Sequence, residues 1–456
     1  MDPTQNPNPV YDIVILGASG FTGKYVVREA LKFLQTPSSP LKSLALAGRN
    51  PTRLTQSLEW ASRPNPPPSS VDILTADTSD PDSLRRLCTQ TKLILNCVGP
   101  FRIHGDPVVA ACADSGCDYL DISGEPEFME RMEAKYHERA QETGSLIVSA
   151  CGFDSIPAEL GLLFNSKQWE PRPPSVPNQI EAYLALESTK KIAGNFGTYE
   201  SAVLGVANAE KLKELRRSRP RKPRPSIHGP PAKGPTLENQ KKIGLWALKL
   251  PSADAVVVRR TLTTLTEKPH GLPGLNESPD QIQKREAFWS AIKPAHFGVK
   301  ITSKSLFGIF RYVTLGVSLG LLSKFSFGRW LLLKFPSVFS LGWFQKKGPS
   351  RDAAVCPAFE MWFIGRGYSE ESLVSEGKTK PPDMEIITRI SGPEIGYITT
   401  PIALVRCGLI VLGQRESLVK GGVYTPGIVF GSTDIQQRLE DNGISFEVIS
   451  KNKIQD

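Results

Sequence analysis

Gly17, Gly20 and Gly23 fall at G-x-x-G-x-x-G spacing in the run Gly17-Ala18-Ser19-Gly20-Phe21-Thr22-Gly23, directly behind the apolar run Tyr11–Leu16. The chemistry this suits is the holding of a pyrophosphate. Gly17 turns the chain tightly, Gly20 keeps side chains away from the phosphate, and Gly23 lets a following helix pack close to a sheet. The N–H groups of Gly17, Ala18, Ser19, Gly20, Phe21 and Thr22 are then the candidate phosphate donors at a helix N-terminus. A second apolar run, Leu44–Ala47, ends in Gly48-Arg49. NAD enzymes place a carboxylate on the ribose 2′-hydroxyl at this point, whereas a guanidinium forks onto phosphate. Arg49 is therefore read as a 2′-phosphate ligand beside Gly48, and the cofactor as NADP(H). The alternative for Arg49 is an ordinary surface arginine after a strand.

These residues need strands to carry them. Val71–Ala76 is a strand ending in Asp77, a candidate contact near the adenine. Leu93–Val98 is another, ending in Gly99-Pro100-Phe101, so Val98 and Gly99 can face the cofactor. Further strands are Asp118–Ile122 and Ser145–Ser149. Helices are expected at 22–34, 83–88, 107–115 and 126–142. Strands alternating with helices imply a parallel sheet covered on both faces, with ligands beyond the carboxyl ends of its strands.

A catalytic constellation does not stand out. Hydride transfer needs positioning and usually one acid or base. Tyr119, Asp154 and His104 are the weak candidates, alongside Asp121. Asp154 also suits an N-cap, Tyr119 a structural place on its strand, and His104 a loop after Gly99.

The bulk numbers narrow the classes. The chain has 456 residues, enough for two or three domains, and a formal charge of +9. Its seven cysteines, 88, 97, 112, 117, 151, 356 and 407, form no C-x-x-C pair, and its five histidines are scattered. No metal site is expected, and an odd cysteine count suits a reducing compartment. The start of the chain lacks a basic n-region and an apolar h-region, so a cleaved secretory signal is not expected. Residues 211–240 read as a basic, proline-rich, exposed loop. Aromatic residues do not interleave with its charges, so no nucleic-acid partner is expected.

Leu306–Phe344 is both apolar and basic, and ten Lys or Arg with no acid lie between Ala287 and Arg351. Its longest uncharged run, Tyr312–Ser323, is 12 residues, short of the roughly 18 that a membrane span needs. An interfacial segment fits better, with Trp, Phe and Leu for the acyl boundary and Lys and Arg for lipid phosphates. Gly328, Pro336 and Gly342 imply several short pieces. The alternative is a buried helical hairpin or a homodimer contact.

GASGFTG, AGR at 47–49, NCVGPF at 96–101, DYLDISGE at 118–125 and GFDSIP at 152–157 together resemble the saccharopine dehydrogenase-like oxidoreductases. The resemblance runs on to Gly421–Gly427 and the closing Ile444–Ile449. It implies an NADP-binding Rossmann domain over residues 1–150 and an α+β substrate or dimerisation domain over 151–400 with an inserted apolar helical segment. It also implies a C-terminal segment, 401–456, returning to the first domain. The mixed sheet of the second domain would use Gln179–Leu186, Ala255–Thr263, Ala358–Ile364 and Glu385–Ile390. The apolar segment makes the chain similar to the membrane- or lipid-droplet-associated eukaryotic branch, and to enoyl reductases acting on lipid chains. The expected function is an NADP(H)-dependent oxidoreductase acting on a hydrophobic or lipid-linked substrate, inside the cell at a lipid-droplet or mitochondrial membrane. The alternatives are a non-catalytic NADP-binding sensor at a lipid surface and a soluble saccharopine-type amino-acid dehydrogenase.

Overall fold

The computed structural model describes residues 9–34, 36–169, 175–187, 194–231, 234–249, 251–346, 358–370 and 381–454. Cys356 and residues 232–233 of the basic tract lie outside the described residues. Strands β1 (Tyr11–Leu16), β2 (Leu44–Gly48), β3 (Val71–Thr75), β4 (Thr91–Asn96), β5 (Asp118–Asp121) and β6 (Leu146–Val148) alternate with five helices. These are α1 (Phe21–Leu34), α2 (Pro51–Ser62), α3 (Pro81–Gln90), α4 (Phe101–Ser115) and α5 (Pro126–Thr143). The strands are all parallel in the order β3-β2-β1-β4-β5-β6, the doubly wound Rossmann order. Ile13, Val14 and Ile15 are wholly buried, as a strand covered on both faces requires.

The second sheet is mixed, and the expected two-domain α/β plus α+β class is the one observed. α6 (Ile156–Ser166) leads into β7 (Val176–Glu187), β8 (Gly194–Asn195), α7 (Phe196–Ala207) and α8 (Ala209–Ser218). Next come β9 (Leu237–Gln240), β10 (Leu245–Lys249), α9 (Ala253–Glu267), α10 (Pro279–Ser290) and β11 (His296–Ser303). Three apolar helices follow, α11 (Leu306–Leu322), α12 (Ser326–Lys334) and α13 (Pro336–Phe339), then β12 (Phe344–Gln345), β13 (Ala358–Tyr368) and β14 (Met384–Gly392). The chain closes through α14 (Thr400–Gln414), β15 (Gly422–Tyr424) and β16 (Ser445–Lys453). The second sheet runs β16-β14-β13-β7-β11-β10-β9, parallel only between β7 and β11.

Several local expectations are corrected. Ala255–Thr263 is part of helix α9, not a strand. Its three valines favour β structure, but Ser252 caps the helix on Asp254 N and the buried set Val257, Val258, Thr261, Leu262 has helical spacing. The strands that complete that sheet are β9, β10, β11 and β16. The basic tract is helical through Ser218, because its cations are held. Arg216 forks onto Glu130, and Arg219 and Lys222 reach Glu133, both on α5. Helix α4 starts at Phe101 rather than 107, so His104 sits on a helix and not in a loop. Gly328 lies inside α12, where a Cβ would run into the Leu322 carbonyl. The breaks fall at Ser323–Phe325 and Phe335.

The C-terminal part serves both sheets. β15 pairs in parallel with β6, α14 lies over β4 and β5, and β16 pairs with β14. Arg406 on α14 stacks on Phe33 at 4.0 Å and faces Glu29 at 3.6 Å, all three on or against α1.

Helix α6 crosses the second sheet at Gly161, whose missing side chain is filled by the ring of Phe363. Gly161→Ala should therefore overpack this contact and cost about 1–3 kcal/mol. Thermal unfolding checks it, and an unchanged melting temperature would show that the Phe363 ring gives way freely.

Candidate functional site

The glycine turn joins the ends of three strands. Gly17 N donates to Ala47 O at 2.9 Å, and Cys97 N donates to Leu16 O at 2.9 Å. Gly17 has φ +82°, and a Cβ there would lie 2.7 Å from Val98 Cγ2. A Cβ on Gly23 would run into the Gly17 carbonyl, while Ser19 and Gly20 are exposed at the rim. This arrangement leaves a bare backbone at the start of α1, suited to an anion.

The other expected residues gather at the same edge. Arg49 is exposed after β2 and makes no hydrogen bond or ion pair among the described residues. Its charge, with that of His104, acts on Asp77. Hydrogen bonds from Ser79 N and Oγ are the larger reason that the Asp77 carboxyl is held below its ordinary value. Asp77 is thus mainly the anchor of a turn. His104 shares a 3.3 Å hydrogen bond with Thr78 Oγ1.

Val98 and Gly99 are shaped from below by a buried polar chain that spacing did not reveal. Asn96 Oδ1 accepts from Val98 N at 2.9 Å, and Asn96 Nδ2 donates to the Tyr119 hydroxyl at 3.1 Å. Tyr119 donates to Asp121 at 2.8 Å, and Asp121 also accepts from Ser123 N, Ala150 N and Ser149 Oγ. Burial outweighs these donors and raises the Asp121 carboxyl to about 6. Tyr119 is fully buried in the sheet, so it supports the edge and does not reach the cleft. Glu125 adds a second brace. It accepts from Phe101 N at 2.9 Å, Arg102 N at 3.1 Å and Ser201 Oγ at 2.9 Å, tying the start of α4 to α7.

Asp154 follows β6 and faces the β5–α5 loop, where a Cβ on Gly124 would strike its carboxylate. It is accessible to solvent yet ringed by protein, and this crowding raises its carboxyl. It makes no hydrogen bond among the described residues, and the N-cap of α6 is Ser155. Asp254, at the start of α9, is raised well above its ordinary value by burial and then by the charge of Asp154. Glu159, one turn into α6, is 1% exposed. It accepts from the Thr261 hydroxyl and from Gly427 N at 2.6 Å, and burial raises it to about 7.

A separate cavity of about 380 Å³ lies between α5, α8 and α9 and shares no lining residue with the glycine turn. Of its cations, Arg216, Arg219, Lys222 and Arg260 are already taken up by Glu130 and Glu133. Burial works against the charge of Glu133, but Arg260, Lys222 and Arg219 hold its carboxyl down at about 2.

Residues 13–148 match the family described as saccharopine dehydrogenase NADP binding domain, so the first domain is a nicotinamide-cofactor domain. A probable mitochondrial saccharopine dehydrogenase-like oxidoreductase of Arabidopsis thaliana is 90% identical over 456 residues, 100% of both chains. A lipid droplet localized protein of Caenorhabditis elegans is 31% identical over 450 residues, 97% of this chain and 99% of its own. The solved saccharopine dehydrogenase (L-Glu forming) of Saccharomyces cerevisiae shares the fold. Its TM-score is 0.52 over 96% of this chain and 100% of that one, at 11% identity.

Glu159 gives a pH signature. The folded protein keeps this proton up to about pH 7, while the unfolded carboxyl releases it near 4.5. Its contribution is therefore full below 4.5 and is lost as pH rises through 7, a fall of about 3 kcal/mol. Urea unfolding of wild type against Glu159→Gln between these pH values should show the slope flatten in the variant. Parallel curves would mean that Glu159 is ionised in the fold.

Proposed function

This chain belongs to the saccharopine dehydrogenase-like oxidoreductase family, and we propose that it is an NADP(H)-dependent oxidoreductase acting on a hydrophobic or lipid-linked substrate at a lipid surface. The bare turn Gly17–Thr22 would hold the pyrophosphate, and Arg49 the 2′-phosphate, with Gly48 leaving room beside it. Val98 and Gly99, braced by Asn96, would flank the cofactor. A nicotinamide bound there supplies or accepts a hydride. Asp154 would move the matching proton: of Tyr119, His104 and Asp154, it alone combines access with freedom from hydrogen bonds among the described residues. Its surroundings raise its carboxyl above the ordinary value, the direction a general acid needs.

The exposed face of α11 carries the lipid reading. Leu306, Phe307, Phe310, Val313, Val317 and Leu321 are all exposed, Phe307 to 71% and Phe310 to 61%. At 100° per residue they fall within about 120° of arc. The opposite face, with Leu315, Leu319 and Leu322, packs toward Tyr199 and Leu332. Phe325 and Phe327, 68% and 70% exposed, extend the patch along α12. Cations border it, with Arg311 4.6 Å from the Trp343 ring and Lys334 4.3 Å from the Trp330 ring. Apolar side chains backed by cations suit an anionic lipid surface. The names of the two relatives, one mitochondrial and one of lipid droplets, support an organelle membrane as the setting.

Two experiments test this reading. Arg49→Ala should weaken NADPH by about 10- to 100-fold, the loss of one charged hydrogen-bonded contact, and leave NADH nearly unchanged. Equal losses for both, measured by fluorescence titration, would remove the NADP assignment. Phe307→Glu with Phe310→Glu changes only the outer face of α11, so the fold should persist. The double variant should stop floating with vesicles containing anionic phospholipid; undiminished flotation would remove α11 as the anchor.

A further inference from the structure

Three cysteine sulfurs meet inside the nucleotide-binding domain, away from the glycine edge. Cys88 lies on α3, Cys112 on α4, and Cys117 in the turn entering β5. Their Sγ atoms all lie within 4.8 Å of one another, and those of Cys88 and Cys112 are 3.7 Å apart. All three side chains are buried, among Ile94, Val109 and Tyr119. Among the described residues no imidazole or carboxylate joins the cluster. The nearby Asp118 is committed to Arg415 and to Leu146 N. Cys117 also faces the carbonyls of Lys92 and Asp118.

Three thiols without a fourth donor do not suit zinc, which takes four ligands in structural sites. Soft sulfur ligands select thiophilic ions. Charge narrows the choice further. Three thiolates around a mono- or divalent ion leave a net negative charge in an apolar core, which costs several kcal/mol. A trivalent ion brings the sum to zero. We infer that Cys88, Cys112 and Cys117 form a trigonal thiol site for a trivalent thiophilic ion, with arsenite as its soluble form.

The step balances without an oxidant. Arsenous acid, As(OH)₃, meets three thiols; three S–H and three As–O bonds break, and three As–S and three O–H bonds form. Arsenic stays trivalent, and each departing hydroxide carries off one thiol proton as water. The thiols need not ionise beforehand, because each proton leaves with a departing hydroxide. Entry has a route, because Cys88 is in the last turn of the short helix α3, and helix ends open locally.

The test uses the full chain, reduced with a phosphine so that no competing thiol remains. Arsenite is titrated, and intact mass and the ultraviolet sulfur-to-arsenic band are followed. The expected result is one arsenic per chain, with a mass gain of arsenic less three hydrogens. Cys112→Ser should abolish the complex, and Cys97→Ser, outside the trio, should keep it. Circular dichroism reports whether Cys112→Ser folds; if it does not, Cys88→Ser near the helix end gives the same reading. No arsenic uptake by the wild type would overturn the site, as would uptake that survives both trio variants or zinc displacing arsenic at equal concentration.

Discussion

The close approach of Gly17 to Gly23 and Val98 is the constraint on which the cofactor edge depends. Gly17 must turn with positive φ, donate to β2 and leave no atom between itself and β4. Only then does α1 begin close enough to the sheet for its first N–H groups to point beyond the strand ends. The turn is held from a second direction too. Phe21 packs edge-on against Tyr397 at 4.8 Å, and Lys24 sits 4.5 Å over the Phe21 ring. The Tyr397 hydroxyl accepts from Asn195 N at 2.8 Å, so the second domain touches the glycine turn directly. The domains are joined at the site itself and not only through a linker.

The same logic holds beneath Val98. Asn96, Tyr119 and Asp121 come from the ends of β4 and β5, and each satisfies another in a place where an unpaired polar group would be costly. A tyrosine that reads as a catalytic candidate by type is thereby spent on holding a loop. Asp77 is similarly spent on Ser79 and His104 shares Thr78. Asp154 is left, facing a glycine that cannot crowd it out further. The chemistry of this edge is thus set as much by which polar groups are already engaged as by which are present.

The legible part of the chain was the part whose signals are local. GASGFTG, the apolar strands and the arginine after β2 are each read within a few residues, and the parallel order follows from their alternation. Ala255–Thr263 was not legible because its valines favour a strand, and only the Ser252 cap and the spacing of its buried residues outvote them. The basic tract misled because its acidic partners, Glu130 and Glu133, lie on α5, 86 to 89 residues earlier. The cysteine trio was invisible for the same reason: spacings of 24 and 5 residues match no ligand motif, and α3, α4 and β5 bring the sulfurs together only in the folded domain. Asp154 was visible by type, but its freedom from a cap could be read only from Ser155 taking that place.

Two apolar helices show why composition alone does not locate a membrane contact. Ile395–Ser417, which includes α14, is apolar and long enough to span a bilayer, yet most of it is buried against the first domain. Gly408 lies 3.4 Å by its notional Cβ from Leu95, and Arg406 within it is turned to Glu29 and Phe33. Its hydrophobicity is already used. Helix α11 is shorter and carries a cation, yet one of its faces, from Leu306 and Phe307 to Leu321, stands exposed among the described residues. An exposed patch of that kind, running on through Phe325 and Phe327, is costly in water and calls for an apolar partner. In the proposed reading, a lipid surface would meet the patch with acyl chains at its centre and phosphates near Arg311, Lys324, Arg329 and Lys334. The α12 contact with α7, which reaches back to Glu125 through Ser201, ties that surface to the start of α4 at the cofactor edge.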